Sequence, residues 1–248
     1  MSFKPQKSGL LYNYLRCTYH LARSFPRFFR GPRRHCPICD YNGTFLSFGY
    51  PPRYDALCPY CGGLERHRLL RLWLERSPGV LVGKRVLHFA PEAAVTAFLR
   101  HQTAAYKSAD LKEGQADIVL NIEALDVPDS SHDVVVCSHV LEHVDDRRAL
   151  AELYRILAPG GLAILMFPMI EAWGTTLEEA LLPVPVKNAA DRTLYFGQHD
   201  HVRFYGRDVR KRIAAAGFSL SEFAACEPDV SHHGLQRGET IFLARKPP

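Results

Sequence analysis

From residue 84 onward, short apolar runs alternate with stretches whose apolar positions recur every three or four residues. Arg85–Phe89, Ala105–Ala109, Ile118–Ile122, Asp133–Ser138 and Leu162–Phe167 read as strands. Ala93–His101 and Arg147–Leu157 read as helices between them. The second puts Leu150, Leu153, Ile156 and Leu157 on one face and stops at Pro159-Gly160-Gly161. Gly206–Gly217 predicts a further helix, and Ser219–Phe223 and Thr240–Ala244 supply two closing strands. This order predicts an α/β fold: a doubly wound, seven-stranded, mostly parallel sheet whose ligand site lies at the carboxyl ends of its strands. Upstream, Leu69, Leu72 and Trp73 mark a connecting helix within 64–78, ending at Ser77-Pro78-Gly79. Near the front, Leu11, Tyr14, Leu15, Thr18, Ala22 and Phe25 recur at helical spacing until Pro26.

Charge changes the picture of that front segment. The chain of 248 residues carries a formal net charge of +5, yet residues 1–39 hold eight Lys or Arg and no Asp or Glu. The remainder has 23 basic against 26 acidic residues, a formal −3. Basicity therefore belongs to the leader, residues 1–34, and not to the body. Four readings of it stay open: a helix packed on the body, an interfacial helix on anionic lipid, an arm on nucleic acid, or a transit segment. No apolar run approaches membrane-spanning length. Seven cysteines without a secretory signal favour a reducing compartment, hence a cytoplasmic protein with peripheral membrane contact as an option.

Four of those cysteines form two CxxC pairs, Cys36-Pro37-Ile38-Cys39 and Cys58-Pro59-Tyr60-Cys61. Their spacing predicts a zinc ribbon over 35–63, with Cys36, Cys39, Cys58 and Cys61 as ligands of a closed, structural S4 site. Pro37 and Pro59 stiffen the turns, and Gly62 and Gly63 let the backbone bend toward the sulfurs. The expected organisation is a basic leader (1–34), a ribbon (35–63), a connecting helix and linker (64–83), and a domain over 84–248 with a cap insertion at 168–206.

Downstream, Leu125–Val144 (LDVPDSSHDVVVCSHVLEHV) leads into Glu152-Leu153-Tyr154-Arg155-Ile156-Leu157-Ala158-Pro159-Gly160-Gly161. This block resembles class I S-adenosylmethionine-dependent methyltransferases, in particular the methyltransferase type 11 group. The resemblance covers residues 84–244. Small members of the group also carry the ribbon, the Glu65-Arg66-His67-Arg68 stretch and the Leu87-His88-Phe89-Ala90-Pro91-Glu92 loop. It implies the Rossmann-like methyltransferase fold and S-adenosylmethionine as cofactor. It also implies a binding set of His88, Phe89, Ala90 and Glu92 after the first strand, Asp110 and Leu111 after the second, Asn121 and Ile122 after the third, and Ser138 and His139 after the fourth. Most relatives have Gly-x-Gly in the first of these loops, which here holds no glycine.

Asp110 suits the two ribose hydroxyls, and Glu92 could meet the methionyl ammonium. Gln198-His199-Asp200-His201-Val202-Arg203 supplies the catalytic candidates. If the segment is extended, His199, His201 and Arg203 share a face, one His serving as base and Arg203 holding an anionic substrate. His139, at the strand mouth, is the other candidate. A second metal site using His199, His201 and His139 or His143 is an alternative. The expected activity is methyl transfer to an O or N nucleophile of a small-molecule or glycan acceptor. The rivals are an RNA methyltransferase and a non-catalytic ribbon module with a degenerate cofactor site.

Overall fold

The computed structural model describes residues 31–49 and 52–248; the helix expected in the leader lies outside them. The chain divides into two compact units. The first runs through Leu69 and takes in Ala225–Arg237, and the second comprises Leu70–Ala224 and Gly238–Pro248. The sequence boundary near residue 84 had left 225–237 with the sheet.

In the first unit β1 (Arg34–His35) pairs antiparallel with β2 (Asn42–Gly43), and β3 (Leu46–Phe48) with β4 (Arg53–Leu57). One CxxC turn joins β1 to β2 and the other follows β4. The two turns are built alike. The Asp40 N–H donates to the Cys36 carbonyl at 2.9 Å, and the Gly62 N–H to the Cys58 carbonyl at 3.0 Å. Asp40 and Gly62 both take left-handed backbone, φ 62° and 70°. Glycine suits that position and Asp tolerates it. Cys36, Phe45 and Cys58 form a small core beneath. Arg68, fully buried, ties the unit together through carbonyls alone: Nε to His233, Nη1 to Ala56 and Gly63, Nη2 to Asp55 and Gly234. Its guanidinium lies 4.5 Å above the Phe45 ring. A buried charge persists only when every donor is used, and here all are.

Helix α1 (Glu65–Glu75) is the connecting helix. The second unit is built on a seven-stranded sheet ordered β12-β13-β9-β8-β5-β6-β7. These strands are β5 (Arg85–Phe89), β6 (Ala105–Asp110), β7 (Ile118–Val119), β8 (His132–Ser138), β9 (Leu157–Met166), β12 (Ser219–Ala224) and β13 (Thr240–Arg245). Pairing is parallel from β9 to β7, while β13 runs antiparallel to both β9 and β12. The expected seven-stranded, mostly parallel α/β sheet is the observed one. Helices α2 (Ala93–Arg100), α3 (Asp146–Ile156) and α5 (Val209–Ala215) accompany it, with α4 (Ala189–Phe196) in the 168–206 segment. Within that segment β10 (Leu177–Glu178) pairs with β11 (Arg203–Phe204).

The core joins Leu87, Val135, Leu150, Leu153, Leu165 and Phe242 across strands and helices. Asp145 caps α3 by accepting the Arg147 and Arg148 N–H groups, so that helix starts one residue earlier than expected. Its end differs too: Leu157 already pairs with His132, and Pro159–Gly161 bulge within β9. Gly161 is required there, because a Cβ would stand 2.7 Å from the Ala158 carbonyl oxygen. The expected strand Ile118–Ile122 is only two residues long. Asn121 Oδ1 accepts the Glu123 N–H at 3.0 Å, a local turn that competes with continued pairing. No helix among the described residues is long and apolar enough to cross a membrane.

Candidate active site

The sheet reverses its winding between β5 and β8. From β5 the chain moves outward to β6 and β7, whereas β8 and β9 lie on its other side. A crevice at the carboxyl ends of the strands belongs at such a reversal. Ala90 leaves β5 there with left-handed backbone, φ 47°, its N–H donating to the Ala109 carbonyl at 2.9 Å. Alanine holds this left-handed turn at a cost of roughly 1–2 kcal/mol. Glu92 follows as N-cap of α2, its carbonyl accepting the Val95 and Thr96 N–H groups.

Asp110 ends β6 and accepts the Lys112 N–H through Oδ1 at 2.8 Å. Leu111 beside it is 68% exposed, an apolar side chain held in water at the strand end. Ser138 ends β8, buried. Three expected cofactor residues point elsewhere. His88 is fully buried with Nδ1 2.8 Å from the Tyr106 hydroxyl. Phe89 and Ile122 are buried in the sheet core. His88 and Phe89, consecutive in β5, point to opposite faces of the sheet, and both are buried there.

The chemistry gathers after β8. His139 has left-handed backbone, φ 55°, fixed by its N–H on the Met166 carbonyl at 2.7 Å. Its Nδ1 stands 3.1 Å from Oε1 of Glu142, whose side chain is only 1% exposed. A strained backbone that presents an imidazole to a buried carboxylate is typical of functional sites. Glu142 and His143 sit on the 3-10 turn Leu141–His143. His201 packs edge-on to His143, ring centroids 4.7 Å apart, and Glu142, His143 and His201 bring ligand atoms within 4.8 Å of one another. Burial lowers the His201 pKa, with His143 adding to the effect and Glu142 opposing it, so its neutral form is favoured.

The segment 199–203 is not extended throughout. His199 and Asp200 lie in a turn, with strand pairing only at Arg203 and Phe204. His199 is therefore in water at 74% side-chain exposure, apart from His201, and does not join the cluster.

Arg203 does not face a substrate either. It is buried and bonds the Leu141 carbonyl at 2.7 Å, the Val144 carbonyl, and Glu178 at 3.1 Å. Tyr205, fully buried, donates to the same Leu141 carbonyl and to Asp146 Oδ2, both at 3.1 Å. Arg212 completes the lattice on Asp146 and Glu178. Burial would lower the Arg203 pKa, but Tyr205, Asp146 and Glu178 outweigh it and hold the pKa above its ordinary value. The two clamps on Leu141 fix the turn that carries Glu142 and His143.

Sequence reasoning did not single out Glu142, Asp146, Glu178, Tyr205 or Arg212. The signal for Glu142 was the His139-x-x-Glu142-His143 spacing, which puts three ionisable groups on one turn. A shallow cavity of about 430 Å³ lies at the opposite, amino ends of the strands, lined in part by Lys84, Asp133 and Gly161. It lacks the loops that follow the strands, and the crevice is the better site.

In the first unit Cys36 and Cys61 sulfurs are 3.7 Å apart, as are Cys39 and Cys58. All four lie within 4.8 Å of one another, a group able to hold a metal. His35, His232 and His233 form another close group nearby in that unit.

A reversed-winding seven-stranded sheet with its polar cluster after the fourth sheet strand defines a class I methyltransferase fold. Residues 78–165 match the methyltransferase domain family, type 11. A Mycolicibacterium smegmatis protein described as a probable S-adenosylmethionine-dependent methyltransferase is 31% identical over 115 residues, 45% of this chain. The match spans 41% of that relative's length. Among solved structures, the YcgJ protein of Bacillus subtilis superposes with TM-score 0.51 at 14% identity, covering 73% of this chain and 99% of its own. A Mesorhizobium loti S-adenosylmethionine-dependent methyltransferase gives 0.52 at 15%, covering 72% and 98%. At such identities these two speak for the fold alone.

Proposed function

We propose that the protein transfers a methyl group from S-adenosylmethionine to an oxygen or nitrogen of a small-molecule or glycan-type acceptor, with a hydroxyl favoured. The observation that carries this is the pairing of His139 with Glu142 at 3.1 Å at the mouth of β8, in the crevice of a methyltransferase domain. The cofactor supplies an electrophilic methyl on a sulfonium centre. The residues fit it: Ala90 keeps the backbone turn that lets a ligand approach, Asp110 offers a carboxylate for the ribose hydroxyls, and exposed Leu111 offers apolar cover. Glu92 stands where an ammonium would need an anion. An amine acceptor would need only alignment once neutral, whereas a hydroxyl needs a proton acceptor. His139, with the buried Glu142 carboxylate 3.1 Å from its Nδ1, is the group placed for that task. Arg203 is a positioning residue, acting through Leu141.

The four-cysteine group is read as a structural zinc site. Zn–S bonds of about 2.3 Å put tetrahedral sulfurs roughly 3.7 Å apart, and both measured pairs stand at 3.7 Å. The ribbon unit is taken to extend through Leu69 and to include 225–237, with the methyltransferase unit beginning at Leu70.

The test is formation of S-adenosylhomocysteine by the full chain with acceptors grouped as hydroxyls, amines and carbon acids. Turnover with hydroxyl acceptors, lost on His139→Ala, is expected. Equal turnover by that variant would remove His139 from the reaction.

A further inference from the structure

We propose that Glu142, His143 and His201 bind one divalent transition cation beside the mouth of β8, leaving open coordination positions for an acceptor oxygen. Glu142 is the starting point. Its side chain is 1% exposed; Oε1 lies 3.1 Å from His139 Nδ1, yet neither carboxylate oxygen has a hydrogen-bond partner among the described residues. A carboxylate buried this deeply calls for a cation or further donors.

The two imidazoles are prepared as ligands. His201 Nδ1 lies 3.0 Å from the Phe196 carbonyl oxygen and His143 Nδ1 lies 3.3 Å from that of Asp200. A carbonyl can only accept, so both protons sit on Nδ1 and both Nε2 lone pairs are left bare. Metal-binding histidines are held in this way, with the second nitrogen fixed by a backbone carbonyl or carboxylate. The three donor groups already lie within 4.8 Å of one another, ring centroids 4.7 Å apart at 83°. Bonds of about 2.0–2.2 Å would draw the donors to no more than about 4.3 Å apart, a small rotation of the rings.

Two imidazoles and one carboxylate suit manganese, iron, cobalt or zinc, whereas magnesium and calcium prefer oxygen alone. Three protein ligands leave positions open, in contrast to the closed four-cysteine group. What the ion does rests on the methyl-transfer reading. An acceptor hydroxyl bound to it becomes a stronger acid and its proton passes to His139, whose side chain is 28% exposed, and from there to water. The acceptor would thus be an alcohol or phenol.

The experiment uses full-length protein with its four-cysteine group saturated with zinc. Manganese(II), which thiolates do not favour, is titrated and its free fraction read by electron paramagnetic resonance. One equivalent should bind, and Glu142→Gln and the milder His143→Ala should each weaken binding by more than about tenfold. S-adenosylhomocysteine calorimetry on the same samples reports the cofactor site separately. Loss of that binding with manganese retained would sink the methyl-transfer reading and leave the cation site standing. No manganese bound by the wild type, or equal binding by both variants, overturns the cation site.

Discussion

His139 Nδ1 and Glu142 Oε1 stand 3.1 Å apart across one turn, the imidazole partly in water and the carboxylate out of it. In the proposed reading the carboxylate biases the ring electrostatically, without a formed hydrogen bond, and the ring serves as base. This is the arrangement of a base with a carboxylate beside it. His139→Ala should lower kcat by roughly 10²–10⁴-fold with cofactor affinity kept. Steady-state kinetics beside calorimetry separates the two; a matching loss of cofactor affinity would make His139 a binding residue instead.

Asp110 ends β6 with one carboxylate oxygen on the Lys112 N–H. Asp110→Ala should weaken S-adenosylhomocysteine binding by roughly a hundredfold, as charge-assisted hydrogen bonds of about 1.5–3 kcal/mol are lost. The melting temperature should hold, since the residue is only partly buried. Unchanged affinity would mean the ribose lies elsewhere.

Arg203 clamps Leu141, Val144 and Glu178 from a buried position. Arg203→Ala strips the Val144 carbonyl of its donor, while Tyr205 still serves Leu141 and Arg212 still serves Glu178, and should destabilise the protein by about 1–3 kcal/mol. Arg203→Lys should recover little, because one ammonium cannot span the same fork. Denaturant melts give the stability. In protein still folded, kcat should fall while S-adenosylhomocysteine binds normally.

His132 opens β8 half-buried. Burial lowers its pKa, and Arg85 and Lys107 repel its protonated form. The folded value lies below the unfolded one, so the stability it contributes is full above about pH 6.5 and is lost as pH falls from there through the lower folded value. His132→Gln should flatten the fall in melting temperature between pH 7 and 5. An unchanged slope would assign the acid sensitivity to other groups. Asp133, held down to about 2 by its bonds to Arg85, titrates well below this window.

Zinc removal should open the ribbon unit first. Hydrogen exchange after chelation should rise in 31–69 and in 225–237, since Arg68 and the four sulfurs are that unit's main ties. Unchanged protection there would mean the four cysteines do not hold its fold.

Local patterning carried the sheet well. β5 ran over Arg85–Phe89 as read, and α3 buried Leu150, Leu153 and Ile156 as its spacing required. Misreadings came where tertiary contacts decide. Arg68 reaches the carbonyls of His233 and Gly234, 165 and 166 residues away, which no local pattern signals. Alternation placed His199, His201 and Arg203 together, but a turn at 199–200 broke the period. Arg203 looked like a substrate clamp because its acidic partners, Glu178 and Asp146, are distant in sequence. Glu142 was given no role from sequence, since burial is not visible in residue type.

The central claim is that a methyltransferase site lies at the carboxyl ends of β5, β6 and β8. Isothermal calorimetry of S-adenosylhomocysteine with the intact, zinc-loaded chain tests it most directly. One molecule should bind per chain, with the heat lost in Asp110→Ala. No detectable binding by the folded wild-type protein would contradict the account and leave a methyltransferase fold without its cofactor site.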